Sequence, residues 1–85
     1  MSAAPFDVYV KTWCPWCVAA QDWLDQHGYR YNLIDVEASR EAYDKMIKLS
    51  GQRRTPTLVT TEGLILPDFG PDELEVFLKK HSIAP

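Results

Sequence analysis

Apolar and polar residues change their period several times along the chain, and each change marks a boundary between elements. From Phe6 to Val10, apolar side chains stand at Phe6, Val8 and Val10 with Tyr9 between them. That predicts a buried strand running directly into a turn at Lys11-Thr12-Trp13-Cys14. From Pro15 to His27 the period becomes helical, with Cys17, Ala20 and Leu24 on one stripe. Pro15 suits the first helical turn, where its missing N–H would lack a partner anyway, and Gly28 stands where a left-handed cap would end the helix.

Tyr29 to Val36 alternates and is rich in Tyr, Leu, Ile and Val, which predicts a second strand, parallel to the first because a helix lies between them. Ser39 is placed to cap a second helix, along which Tyr43, Met46, Ile47 and Leu49 recur until Ser50-Gly51 stops it. Thr57 to Thr61 reads as a strand, Glu62-Gly63 as a turn and Leu64 to Leu66 as the returning strand. Pro71 opens a last helix with Leu74, Phe77 and Leu78 on its inner stripe. Asp72 and Glu73 at its start and Lys79, Lys80 and His81 at its end complement its dipole. The order βαβαββα predicts an α/β fold, a four-stranded mixed sheet with three helices on both faces. Residues 1–85 are expected to form one domain, without linker or repeat.

At 85 residues, a modest core and a shallow surface groove are the scale to expect. The 12 acidic and 9 basic residues, net charge -3, are scattered without a basic run, which disfavours nucleic acid as a partner. Met1 to Pro5 carry no charged segment followed by an apolar one, and no apolar run approaches the ~20 residues that span a bilayer. A cytoplasmic monomer without membrane contact is expected.

The two cysteines, Cys14 and Cys17, are too few for a disulfide-stapled scaffold and read as working thiols. A thiol reacts as its thiolate, so redox work needs one cysteine held deprotonated and a second within reach to resolve the mixed disulfide. CxxC at a helix start does both. Unpaired N–H groups of Trp16 and Cys17 and the positive end of the dipole favour an anion on Cys14, and Lys11 would add to this. In such settings thiol pKa values fall to ~3.5–7.5 from about 8.5. Cys14 is therefore the expected nucleophile and Cys17, on the inward stripe, the resolving thiol. A zinc site would need four ligands, and only His27 and His81 are further N/S candidates, neither at finger spacing; no metal is expected.

Thr12-Trp13-Cys14-Pro15-Trp16-Cys17 resembles the TxCPYC active site of glutaredoxins, within the thioredoxin-like superfamily, with Trp for Tyr. Ser50 to Pro56 is similar to the family's SGxRTVP stretch, and Gly70-Pro71-Asp72-Glu73-Leu74 resembles its GGCDDL element, so the likeness covers nearly the whole chain. It implies a thiol-disulfide oxidoreductase acting on protein disulfides or glutathione mixed disulfides, with glutathione as cosubstrate and no tightly bound cofactor. It also implies a cis Thr55-Pro56 bond beside Cys14, leaving the Thr55 backbone to pair with an extended substrate. Lys11, Gln52 and Arg53 resemble the family's contacts to the glycine carboxylate of glutathione, and Gly70 and Asp72 its γ-glutamyl clamp; Trp16 with Trp13 would wall the groove.

The sequence departs from the pattern where Phe69 replaces the first glycine of the clamp and Pro71 its usual Cys or Ser, and at Arg54 and Thr55. Phe69 with Pro71-Asp72 also resembles glutaredoxin-like electron donors of ribonucleotide reductase, which thioredoxin reductase recharges. A third reading is an iron–sulfur carrier, against which Pro15 counts. Trp23 reads as packing, and His27 and His81 as helix-end residues.

Overall fold

A computed structural model describes residues 5–85. The expectation that no leader precedes the domain falls largely on residues 1–4, outside that range. Seven elements follow in order: β1 (Phe6–Val10), α1 (Pro15–Gln26), β2 (Asn32–Asp35), α2 (Arg40–Ser50), β3 (Thr57–Thr60), β4 (Ile65–Pro67) and α3 (Pro71–Lys80). The sheet order is β2-β1-β3-β4. β1 runs parallel to β2 and antiparallel to β3, and β3 pairs antiparallel with β4. The mixed sheet and three helices agree with the sequence expectation.

Alternation along β1 sends its side chains to two cores. Phe6, Val8 and Val10 pack with Cys14, Cys17, Ala20 and Leu24 of the α1 segment, and with Leu74, Phe77 and Leu78 of α3. Tyr9, on the other face, packs with Val36 and with Met46 of α2. Burial of each such side chain contributes about 1.5–3 kcal/mol, so the strand leading to Cys14 is clamped from both sides. The inner stripes of α1 and α3 are those the sequence predicts. Leu49, however, is 40% exposed; the α2 stripe is Met46 with Tyr43 and Ile47 beside it.

Several boundaries move, and at the start of β2 and around the hairpin turn hydrogen bonds give the reason. Tyr29 does not begin β2: Gly28 adopts φ 74°, its N–H bonds to Asp25 O, and the Tyr29 N–H reaches back to Leu24 O at 3.0 Å. These are the two bonds that close a Schellman helix end, and they draw Tyr29 onto α1. β2 starts at Asn32 instead, where Asn32 Nδ2 donates to Asp7. In the hairpin, Gly63 N–H bonds to Thr60 O at 3.0 Å and Thr60 Oγ1 accepts from Leu64 N–H at 2.9 Å. That places Thr61 and Leu64 in the turn, so β3 ends at Thr60 and β4 runs from Ile65 to Pro67.

Candidate functional site

The C-terminal end of β1 delivers the chain to a turn closed by Cys14 N–H on Lys11 O at 3.2 Å. Cys14 then serves as N-cap of α1 in extended geometry, with Pro15 at the first helical position. Its Sγ accepts from the Cys17 backbone N–H at 3.2 Å, the arrangement by which a cap satisfies one orphan donor of a helix start. Both cysteines are free thiols. Cys14 keeps 6% of its surface exposed and Cys17 none.

Their acidities move in opposite directions. Burial by itself pushes the Cys14 thiol up, but the Cys17 thiol and backbone N–H, the Thr55 hydroxyl and the Trp16 backbone N–H outweigh it and hold the Cys14 pKa below its ordinary value. Burial, and then donation of its proton toward Cys14, pushes Cys17 up to about 11. Hydrogen bonding to the charged form is thus what lowers Cys14. The Lys11 Nζ lies 5.4 Å from the Trp13 ring centroid and 6.0 Å from that of Tyr43.

Thr55 and Pro56 lead into β3, whose first residue Thr57 pairs with Tyr9 near the end of β1, and so arrive beside the thiols. The Thr55–Pro56 bond is cis, both residues are buried, and the Cys14 thiol donates to Thr55 O at 3.6 Å. The loop before them is braced from within. Gln52 Nε2 donates to Ser50 Oγ at 3.0 Å and to Thr57 Oγ1 at 2.9 Å, and Gln52 Oε1 accepts from Arg54 N–H at 2.6 Å. Both donors of the Gln52 amide are therefore engaged inside the loop, which they brace. Arg53 is exposed, and Arg54 pairs with Asp68 at 3.3 Å.

The rim is aromatic. Trp13 and Trp16 are 68% and 62% exposed. Trp13 Nε1 donates to Glu37 Oε2 at 2.8 Å, and the Thr12 N–H and hydroxyl both donate to Glu37 Oε1. Glu37 therefore pins the turn that carries Cys14. Sequence reasoning missed it because the contact spans some 25 residues and has no local signature.

On the other side of Cys14 the Trp16 ring lies against Gly70: a Cβ added there would meet Trp16 Cζ3 at 3.1 Å and Glu73 Oε1 at 3.2 Å. This close approach explains glycine at the N-cap of α3. The Gly70 N–H donates to Glu73 Oε1 at 2.7 Å. Trp16, Asp68, Phe69, Gly70 and Glu73 line a cavity of about 180 Å³. Phe69 itself is 2% exposed and belongs to the core shared with Cys14 and Cys17. Asp72 is exposed and lines a groove of about 510 Å³ between β4 and α3 that also touches Ile65, Val76 and Phe77. Of the predicted contacts, Trp16, Thr55, Pro56 and Gly70 gather around the thiols, Gln52 braces the loop before Pro56 and Asp72 lines the groove beside α3. Among the described residues no group of three or more His, Cys, Asp or Glu is placed to hold a metal ion, and no helix is long and apolar enough to cross a membrane.

The glutaredoxin family profile matches residues 7–65. The gene 56 protein of Mycobacterium phage L5 is 32% identical over 81 residues, covering 95% of this chain and 79% of its own. The glutaredoxin-like protein NrdH of Lactococcus lactis is 31% identical over 67 residues, 79% of this chain and 90% of its own. In fold, the chain superimposes on the glutaredoxin grx-1 of Archaeoglobus fulgidus with a TM-score of 0.77 at 18% identity, covering 92% of this chain and 89% of that one.

Proposed function

Because the chain belongs to the glutaredoxin family of thiol oxidoreductases, we propose that it reduces disulfides in other proteins through a dithiol cycle in which Cys14 attacks and Cys17 resolves. The observation carrying this reading is the opposite displacement of the two thiol acidities one helical turn apart, Cys14 lowered and Cys17 raised to about 11. The Cys14 thiolate attacks one sulfur of the substrate disulfide and the other sulfur leaves as a thiolate. Cys17 then gives up its proton and attacks the Cys14 sulfur; the Cys14–Cys17 disulfide forms and the second substrate sulfur is released. Two electrons have passed to the substrate. The Thr55 backbone beside cis Pro56 and the exposed Trp13 and Trp16 offer an extended polypeptide one hydrogen-bonding edge and two apolar walls.

A second reading concerns the electron supply. Glutathione would be held by Lys11 and Arg53 at one end and by Gly70 at the other. A flavoenzyme of the thioredoxin reductase kind, with ribonucleotide reductase among the acceptors, is the alternative that the similarity to NrdH suggests. The assay follows NADPH consumption with a protein disulfide, supplying either glutathione plus glutathione reductase or thioredoxin reductase alone. Cys14→Ser is expected to abolish turnover in both arms, and Cys17→Ser to abolish protein disulfide reduction while sparing release of glutathione from a mixed disulfide. Turnover by Cys14→Ser would overturn the assignment.

A further inference from the structure

On the β2 side of the thiols, the rim of the groove is held by the turn that follows β2. Asp35 pairs with Val10 at the end of β1, and its Oδ1 accepts from the Glu37 N–H at 2.8 Å and the Ala38 N–H at 3.3 Å. That cups the turn and fixes the point from which the Glu37 side chain leaves it. Both carboxylate oxygens of Glu37 then reach the turn before Cys14. Oε1 accepts from the Thr12 N–H at 3.3 Å and the Thr12 hydroxyl at 3.4 Å, and Oε2 accepts from Trp13 Nε1 at 2.8 Å. An indole left 68% exposed would otherwise turn among its rotamers. The Lys11 ammonium, 5.4 Å from the ring centroid, adds a second contact to the same side chain.

We infer that Glu37 is a positioning residue that holds the Trp13 indole in place as a wall of the substrate groove, so that polypeptide disulfides are favoured over small ones. This deepens the dithiol reading and rests on it. Glu37 acts through Trp13, and no proton or electron passes through it: the Cys14 thiolate attacks one substrate sulfur, and the other leaves as a thiolate. What Glu37 removes is the cost of ordering the indole, which a polypeptide would otherwise meet when the residues flanking its cysteines pack against a freely turning ring. A disulfide too small to reach the ring gains nothing from that order.

The experiment oxidises the full-length reduced protein in single turnovers, quenched by alkylation and read by mass spectrometry. Two oxidants are compared: 2-hydroxyethyl disulfide, and a peptide closed by one internal disulfide with leucines on either side of its cysteines. Each accepts two electrons from the dithiol and leaves as thiols. Glu37→Ala is expected to raise the half-saturating peptide concentration about five-fold, the scale of ordering one large side chain, with the limiting rate kept within about two-fold. The rate with 2-hydroxyethyl disulfide and the pH midpoint of Cys14 alkylation should stay as they are, which separates positioning from a change in thiol acidity. Glu37→Gln keeps an oxygen able to accept from the indole N–H and should recover much of the loss, because hydrogen bonding holds the ring.

Trp13→Phe keeps a ring but has no N–H, so it too should raise the half-saturating peptide concentration, and adding Glu37→Ala to it should raise it no further. In the nitrogen–proton correlation spectrum the three tryptophans give three indole signals, and that of Trp13 should move upfield in Glu37→Ala. Additive effects in the double variant, an equal loss with 2-hydroxyethyl disulfide, or an unchanged peptide half-saturation in Glu37→Ala overturns the inference. Failure of both oxidants to oxidise the parent protein would instead sink the dithiol reading itself.

Discussion

Cys17→Ala removes one of the donors that hold the Cys14 thiolate while leaving the others in place. The backbone N–H of residue 17 stays 3.2 Å from Cys14 Sγ, and the Thr55 hydroxyl and Trp16 N–H still act. A hydrogen bond to a charged partner contributes about 1.5–3 kcal/mol. Because Cys14 keeps 6% of its surface exposed, about 1 kcal/mol of net loss is the working figure after discounting for solvation. On the acid limb of the Cys14 titration this is about a five-fold drop in thiolate population, so the midpoint moves to higher pH. The assay is iodoacetamide alkylation against pH, read by mass spectrometry. The chain contains two cysteines, so the variant titrates a single thiol. Cys17→Ser puts a hydroxyl donor in nearly the same place and should recover most of the loss. Identical profiles for the parent protein, Cys17→Ala and Cys17→Ser would refute the donor argument and leave the helix start alone to explain the lowering. A second readout follows by linkage. Cys17 is held protonated up to about 11 against an ordinary 9.0, so its thiol contributes stability below 9 that is lost as pH rises through about 11. The reduced parent protein should lose stability across that window, and Cys17→Ala should not lose that component.

Two predictions concern the scaffold around the site. Thr57, with no exposed surface, donates to Arg54 O at 2.7 Å and accepts from Gln52 at 2.9 Å. Thr57→Val should therefore cost roughly 2–3 kcal/mol and lower the thermal midpoint by roughly 10–20 °C; a drop under about 3 °C would show that the loop is braced otherwise. Ser82 ends α3 at φ 55°, with its N–H on Lys79 O and the Ile83 N–H on Leu78 O at 2.9 Å. This is the same closure that Gly28 gives α1, made by a residue with a Cβ. Ser82→Gly should raise stability by roughly 0.5–1 kcal/mol, measured by urea unfolding, and no gain would mean that the left-handed geometry carries no strain there.

Local periodicity and local chemistry were legible along the chain. The stripes Cys17-Ala20-Leu24 and Leu74-Phe77-Leu78, the Ser39 cap and the Gly28 and Gly51 helix ends depend on residues at most a few positions apart, which sequence spacing encodes directly. Tyr29 misled because β-propensity lost to a helix-closing hydrogen bond two residues after the cap. Spacing did not reveal that the Gln52 amide bonds to Thr57 and Ser50 within its own loop. Glu73 reads from sequence as a charge at a helix start, and it is that; what spacing does not reveal is the Trp16 ring brought against the same Gly70 from 54 positions away.

For the thiols themselves the division is sharper. The sequence by itself determined that two cysteines stand one turn apart at a strand-to-helix junction, because CxxC, Pro15 and the two flanking periodicities are all local. Which donors surround Cys14 was decided by tertiary structure. Thr55 is 41 residues away and Glu37 some 24 residues from Trp13. Such contacts form only when β3 and the loop after β2 are brought to the C-terminal end of β1, and a thiol's acidity answers to the charges, dipoles and burial that meet it there.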